Sequence, residues 1–244
     1  MTLAAAIART VVDPVLALVF RAECAACRGE VERPRSGPLC GPCWASLPGH
    51  RSSLCACGEP LVSPHAARCG RCRRGLSPFE RGASLGPYEG ALKAVIHELK
   101  YRGRRPAAAE LARRLAGEAG VRAAMDGGAV LVPVPLHPSR RAQRGFNQAS
   151  LLAGELGRRA GIAVCEGALV RRADTPSQAG LSAAERRANV RDAFCVRRKA
   201  QVAGRAVVLV DDVYTTGATA RACARALRAA GATEVRIVTV ARVA

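Results

Sequence analysis

The stretch Val207-Val208-Leu209-Val210-Asp211-Asp212-Val213-Tyr214-Thr215-Thr216-Gly217-Ala218-Thr219 decides how the chain is read. Four apolar β-formers run into two adjacent carboxylates. A loop of hydroxyls and glycine follows, then an Ala/Arg helix expected over 218–230. A continuous apolar run is how a parallel strand covered on both faces is written, and open α/β sheets bind ligands beyond the carboxyl ends of their strands. Asp211 and Asp212 are expected at that edge, where paired carboxylates can accept hydrogen bonds from the two hydroxyls of a ribose. Thr215, Thr216 and Thr219 add hydroxyls, and Gly217 lets the backbone approach closely. The free N–H groups at Ala218 and its neighbours open the helix with an anion site suited to a phosphate. Together these describe a site for a ribose 5-phosphate. The competing reading is a buried strand and turn whose two acids cap the next helix.

Outward from this stretch the pattern alternates. Glu234 to Ala241 supplies a last strand, and Leu131-Val132-Pro133-Val134-Pro135 reads as another that stops at prolines. Helices are expected over 90–100, where Leu92, Val95, Ile96 and Leu99 share a face, over 107–119, and from Asn147 through Leu156. Leu169-Val170 is a short strand. The stretch 136–148 reads as a basic loop directly after a strand, so Arg140, Arg141 and Arg144 are candidates to neutralise a leaving diphosphate. The turn-rich stretch 172–181 is expected to close over the site, and Ser182-Ala-Ala-Glu185 reads as a capping box opening a short helix. The β-α alternation implies a parallel sheet with helices on both faces.

The formal net charge is +19, carried almost entirely by arginine, which favours phosphorylated or polyanionic partners such as single-stranded DNA. Aromatics make up only 3% of the chain, so binding through extensive base stacking is disfavoured and the core must be built from Ala, Val and Leu. Residues 2–21 are apolar but interrupted by Arg9 and Asp13. They read as an amphipathic helix along Leu3, Ile7, Val11, Val15 and Leu18, not as a membrane span or an export signal. That helix is expected to pack on the protein or to touch a membrane surface.

Eight of the eleven cysteines fall between Cys24 and Cys72 as four close pairs. Cys24-x-x-Cys27 and Cys40-x-x-Cys43 have the spacing of a structural four-cysteine zinc site. Cys55-x-Cys57 and Cys69-x-x-Cys72 form a less regular second set, for which a second zinc is expected. Disulfides and an iron–sulfur cluster are the competing readings, with His50 and His65 as substitute ligands. Such a segment has little apolar sequence and relies on metal to fold. Cys165, Cys195 and Cys223 read as small buried apolar residues. The resulting division is 1–22 for the helix, 23–78 for the metal-binding segment and 79–244 for the sheet domain.

The thirteen residues from Val207 resemble the phosphoribosyl-pyrophosphate (PRPP) motif of type I phosphoribosyltransferases. Leu99-Lys100-Tyr101-Arg102-Gly103, Val132-Pro-Val-Pro-Leu-His-Pro138, Arg144-Gly-Phe-Asn-Gln148 and Gln178-Ala-Gly-Leu181, with the cysteine pairs, make the whole chain similar to the ComF family of competence-associated proteins. The resemblance implies a zinc-binding segment joined to a type I phosphoribosyltransferase fold, and a role in uptake of single-stranded DNA during natural transformation. It implies PRPP binding, with Mg²⁺, at Asp211, Asp212, Thr215, Thr216, Gly217 and Thr219. It places the protein in the cytoplasm, with the inner membrane face and the DNA-translocation machinery as possible contacts. One departure stands out: the family's second knuckle is Cys-x-x-Cys before Gly-x-Pro-Leu, whereas Leu54 holds the expected partner position here and Cys55 stands one residue late. The alternative readings are an active phosphoribosyltransferase of nucleotide metabolism, for which no residue pattern names an acceptor, and a PRPP-responsive regulator on the same fold.

Overall fold

The computed structural model describes residues 22–34, 37–171 and 193–243. Residues 1–21 of the expected amphipathic helix, the loop over 172–181 and the helix opened at Ser182 lie outside them.

Four parallel strands form the sheet: β1 (Gly82–Pro87), β2 (Val130–Pro133), β5 (Ala206–Tyr214) and β6 (Glu234–Arg242), in the order β1-β6-β5-β2. A single bridge between Leu131 and Val164 extends it past β2. A separate antiparallel pair, β3 (Leu169–Arg171) and β4 (Phe194–Val196), lies apart from the sheet.

The apolar run of β5 is buried on both sides because its side chains alternate. Val208 and Val210 point into one core with Leu92, Leu99, Leu111 and Leu152. These leucines come from α3 (Gly90–Tyr101), α4 (Pro106–Gly117) and α7 (Gln148–Ala160). Val207 and Leu209 point into a second core with Phe194, Cys223 and Leu227, the last two from α8 (Ala218–Ala229). Helices therefore cover both faces, as the alternation implies. Each fully buried Leu or Val contributes roughly 1.5–3 kcal/mol, and Ala, Val and Leu make up most of both cores, with Phe79, Phe194 and Tyr214 in the second.

Three elements of this domain depart from the sequence expectation. The basic stretch after β2 contains a helix, α6 (Pro138–Arg144), started by proline at its first position, where no N–H is needed, and by His137, whose Nδ1 accepts from the Ser139 N–H. Strand β1 carries two glycines and a proline, which conceal it from β-propensity. Helix α5 (Ala119–Met125) continues where α4 was expected to end.

The cysteine segment contributes two short helices, α1 (Gly41–Ala45) and α2 (Gly70–Arg73). It lies along edge strand β1. The Gly82 N–H donates to the Ala56 carbonyl at 2.8 Å, and a Cβ at Gly82 would collide with the Cys57 carbonyl. Glycine is required there because one backbone crosses directly over the other.

Candidate ligand site and metal centres

Strand β5 continues through the acid pair to Tyr214, so Asp211 and Asp212 point to opposite faces of the sheet. Asp212 is 3% exposed and its Oδ2 lies 2.9 Å from Lys100 Nζ. Lys100 comes from the last turn of α3 and was not singled out by sequence reasoning. A separation of 112 positions hides the pairing, and its one sequence signal is the Leu99–Gly103 string. Asp211 is half-buried on the other face, and its Oδ1 accepts from the Asp212 N–H at 2.8 Å. Burial, then the neighbouring Asp212 charge, push the Asp211 pKa well above the usual carboxylate range, opposed by the Lys100 ammonium.

The loop after β5 is shaped by one contact. Gly217 is the N-cap of α8 with φ 71°, and an added Cβ would collide with the Tyr214 ring. No L side chain fits that left-handed, crowded position. Thr215 and Thr216 are exposed, while Ala218 and Thr219 are half-buried in the first turn of α8. The Thr216 hydroxyl accepts from the Ala218 N–H at 3.4 Å, and the remaining first-turn N–H groups have no partner within the helix.

Pro133 of β2 pairs in register with Val210, and the Val134 N–H donates to the Val210 carbonyl at 2.9 Å. The segment carrying α6 thus leaves the sheet at the same edge as the acid pair. The three candidate arginines are not equivalent. Arg144 stacks on Tyr101, 4.9 Å from the ring centroid, and donates to Gln148 Oε1. Arg140 and Arg141 are exposed. Arg171, which sequence reasoning did not select, is half-buried at the end of β3, with no partner for its Nε among the described residues; burial and the nearby Arg140 charge lower its pKa. A cleft of about 500 Å³ lies here, lined by Pro133, Leu136, Arg141, Arg171, Arg197 and Arg198 among others.

Two of the resembling strings interlock. Arg105 covers Phe146 at 5.2 Å as Arg144 covers Tyr101. Asn147 caps α7 by accepting from the Ala149 N–H, and its Nδ2 donates to the Val134 carbonyl, tying α7 to the end of β2.

The cysteines gather into two clusters, Cys24/Cys27/Cys40/Cys43 and Cys55/Cys57/Cys69/Cys72, with the sulfurs of each set within 4.8 Å of one another. Sulfur pairs stand 3.7 Å apart for Cys27–Cys40 and 3.6 Å apart for Cys55–Cys72 and Cys57–Cys69. A disulfide needs about 2.05 Å. A tetrahedron with Zn–S bonds of about 2.3 Å has edges of about 3.8 Å, so both donor sets fit zinc. The late Cys55 is accommodated by a tight turn over 55–58, closed by the Gly58 N–H on the Cys55 carbonyl at 2.7 Å, which brings the Cys55 and Cys57 sulfurs to one cluster.

Burial raises the Cys24 thiol pKa, but backbone N–H groups at Cys27, Cys40 and Ala26 outweigh it and bring the value down to about 6. Cys55 behaves alike, at about 7. Burial, with the thiols of Cys72 and Cys69, raises Cys57, as expected where several thiolates must share one cation. His50 serves elsewhere, with Nε2 2.9 Å from Ser84 Oγ on β1, and His65 is exposed. Trp44 is buried with Arg114 stacked on it at 5.2 Å. Of the other cysteines, Cys165 and Cys223 are buried and Cys195 is half-buried.

Comparison with known proteins agrees with this geometry. Residues 142–244 match the phosphoribosyl transferase domain model, and residues 15–73 match the double zinc ribbon domain model. The chain is a phosphoribosyltransferase-fold protein with structural zinc in an N-terminal double ribbon. It is 36% identical over 203 residues to DNA utilization protein YhgH of Salmonella typhimurium, covering 82% of this chain and 88% of that one. It is 32% identical over 232 residues to Competence protein F of Haemophilus influenzae, covering 91% and 98%. Competence protein ComFC of Bacillus subtilis is 29% identical over 199 residues, covering 78% and 77%. The chain belongs to the ComF family.

Proposed function

We propose that this protein binds PRPP with Mg²⁺ at the β5–α8 edge and acts in the uptake or processing of single-stranded DNA during natural transformation. The observation that carries the ligand assignment is the Gly217 turn. Held against Tyr214, it presents the first-turn N–H groups of α8 beside Asp211, Thr215 and Thr216. In this reading α8 and the two threonines hold the 5′-phosphate and Asp211 holds the ribose. Asp212, turned to the opposite face, joins only on release from Lys100. Arg140 and Arg141, with Arg171, would hold the diphosphate, whose own oxygens would carry the Mg²⁺. If transfer occurs, these groups position the ribose and stabilise the departing diphosphate, and the arginine-lined cleft is where an acceptor would lie.

The names of the relatives support the DNA role, and the +19 charge supports salt-dependent contact with phosphates. Among the described residues no helix is long and apolar enough to cross a membrane. We place the protein in the cytoplasm, in reach of the inner membrane face and the DNA-translocation machinery, with the division at 22/23 and 78/79.

Calorimetric titration of the zinc-loaded protein with PRPP and Mg²⁺ tests the ligand assignment. Asp211→Asn is the clean variant, since its amide oxygen can still accept from the Asp212 N–H, whereas Asp212→Asn leaves Lys100 without its charge partner. Binding by the wild type that weakens at least tenfold in Asp211→Asn supports the site. A folded wild type that takes up no PRPP removes it. An acceptor screen on a binding-competent protein then decides turnover.

A further inference from the structure

The second cysteine cluster and the phosphate loop are joined by a continuous set of contacts. The turn that carries Cys57 lies on Gly82 of β1. Two residues on, Glu59 forms an ion pair with Arg242, the last residue of β6, whose side chain is only 7% exposed. The Arg242 guanidinium lies over the Tyr214 ring, 4.0 Å from its centroid. Arg242 and Tyr214 are register partners, and the Val243 N–H donates to the Tyr214 carbonyl at 2.8 Å. Phe79 meets the same ring edge-on at 6.3 Å. The ring then fills the space where any side chain at residue 217 would go.

We propose that Glu59 and Arg242 are positioning residues for the phosphate loop, through which the second metal site sets the Gly217 turn. The proposal rests on the PRPP reading for its ligand, but not for the relay itself. A buried guanidinium is tolerated only with a carboxylate partner, and the partner recorded here comes from the ribbon. That carboxylate is placed by a turn whose cysteines need metal to stay together. Arg242 in turn holds the ring through a desolvated cation–π contact. Loss of Glu59, or of the metal beside it, frees Arg242 from its pair and the ring from its cover. Gly217 lacks a side chain of its own, and its left-handed turn is then left with the Arg221 N–H on its carbonyl and a less firmly held ring beside it.

The test uses the full chain loaded with zinc and the variants Glu59→Gln, Arg242→Lys, Arg242→Met and the double variant Glu59→Gln/Arg242→Met. Two quantities are read: amide hydrogen exchange over 221–223, where the Arg221 N–H donates to the Gly217 carbonyl at 2.8 Å, and affinity for PRPP with Mg²⁺. Zinc content and exchange over 41–44 serve as controls. Expected are exchange at 221–223 at least tenfold faster and PRPP affinity at least tenfold weaker in Arg242→Met. Arg242→Lys and Glu59→Gln should fall in between, and the double variant should be no worse than Arg242→Met because both act through one path. Cys69→Ser, which disables the second site alone, should reproduce Glu59→Gln. If Arg242→Met does not fold, Arg242→Lys and Glu59→Gln carry the test. Folded, zinc-replete variants with unchanged exchange over 221–223 overturn the relay. Faster loop exchange in variants of a wild type that takes up no PRPP keeps the relay and removes the PRPP reading.

Discussion

The two zinc sites sit in different surroundings. Cys24 and Cys40 belong to the same apolar core as Leu92, Leu99 and Leu111, together with Val31, Leu39 and Trp44. The first site is therefore a corner of the sheet domain's own packing. Cys55, Cys57 and Cys69 form a cluster of their own, with only Leu61 and Cys72 against them. Its neighbourhood is otherwise backbone contacts to Gly82 and the charged link from Glu59 to Arg242. Apolar burial supports the first site whether or not metal is present, whereas the second has almost no apolar area to fall back on. The sheet has its own version of the problem, since Lys100 does for the buried Asp212 charge what a cation does for the thiolates.

Removing the metal gives the largest expected effect and separates the two sites directly. Zinc binding to small sites is linked to folding by on the order of 10 kcal/mol. With a strong chelator, hydrogen exchange over 53–76 should rise to near the unstructured rate, while exchange around 38–45 rises less. Equal loss in both would break the contrast.

Next in size is Lys100→Met. It strands Asp212 at 5% side-chain exposure, and leaving a buried charge without its partner costs about 3–5 kcal/mol. Denaturant unfolding should show this loss, and Lys100→Met/Asp212→Leu should recover most of it. A single variant as stable as the wild type would mean that the pair is solvated in solution.

Packing differs in the same sense. Leu111→Ala, at a fully buried position, should cost about 2–5 kcal/mol. Leu61→Ala in the zinc-loaded protein should cost no more than about 1 kcal/mol, because the metal rather than Leu61 holds its surroundings. Denaturant midpoints decide it, and similar losses would give the second site an apolar core it does not visibly have.

The smallest expected effect is a gain. The Asp211 pKa is raised in the folded protein. The folded state therefore binds the proton more tightly than the unfolded one. The stability this confers is complete below the unfolded value, about 3.9, and is lost as pH rises through the folded value. Asp211→Asn, which cannot ionise, should raise the melting temperature at neutral pH. The gain should vanish as pH falls towards about 4. A gain that persists in acid would assign it to packing instead.

Much was legible because local chemistry writes itself locally. The spacing of Cys24 to Cys43, the apolar run into Asp211 and Asp212, and Asn147 at the start of α7 each state a need that a few adjacent residues meet. What escaped was written at a distance or in weak formers. Strand β1 escaped because Gly82 and Gly86 serve the backbone crossing above them rather than β-propensity. Helix α6 escaped because its proline reads as a breaker unless its place at the first turn is known.

The sequence by itself determined the class of fold and the two metal-donor sets, since spacing and order alone encode them. Only the tertiary structure decided that Asp211 and Asp212 face opposite ways, that Lys100 pairs with one of them, and that Arg144 is taken up by Tyr101 while Arg171 stands by the cleft. It alone joined Glu59 to Arg242 and Tyr214. The physical reason is one: charge pairing and ring stacking act over a few ångströms of space. Partners from positions 59, 100, 214 and 242 become neighbours only after the sheet has formed.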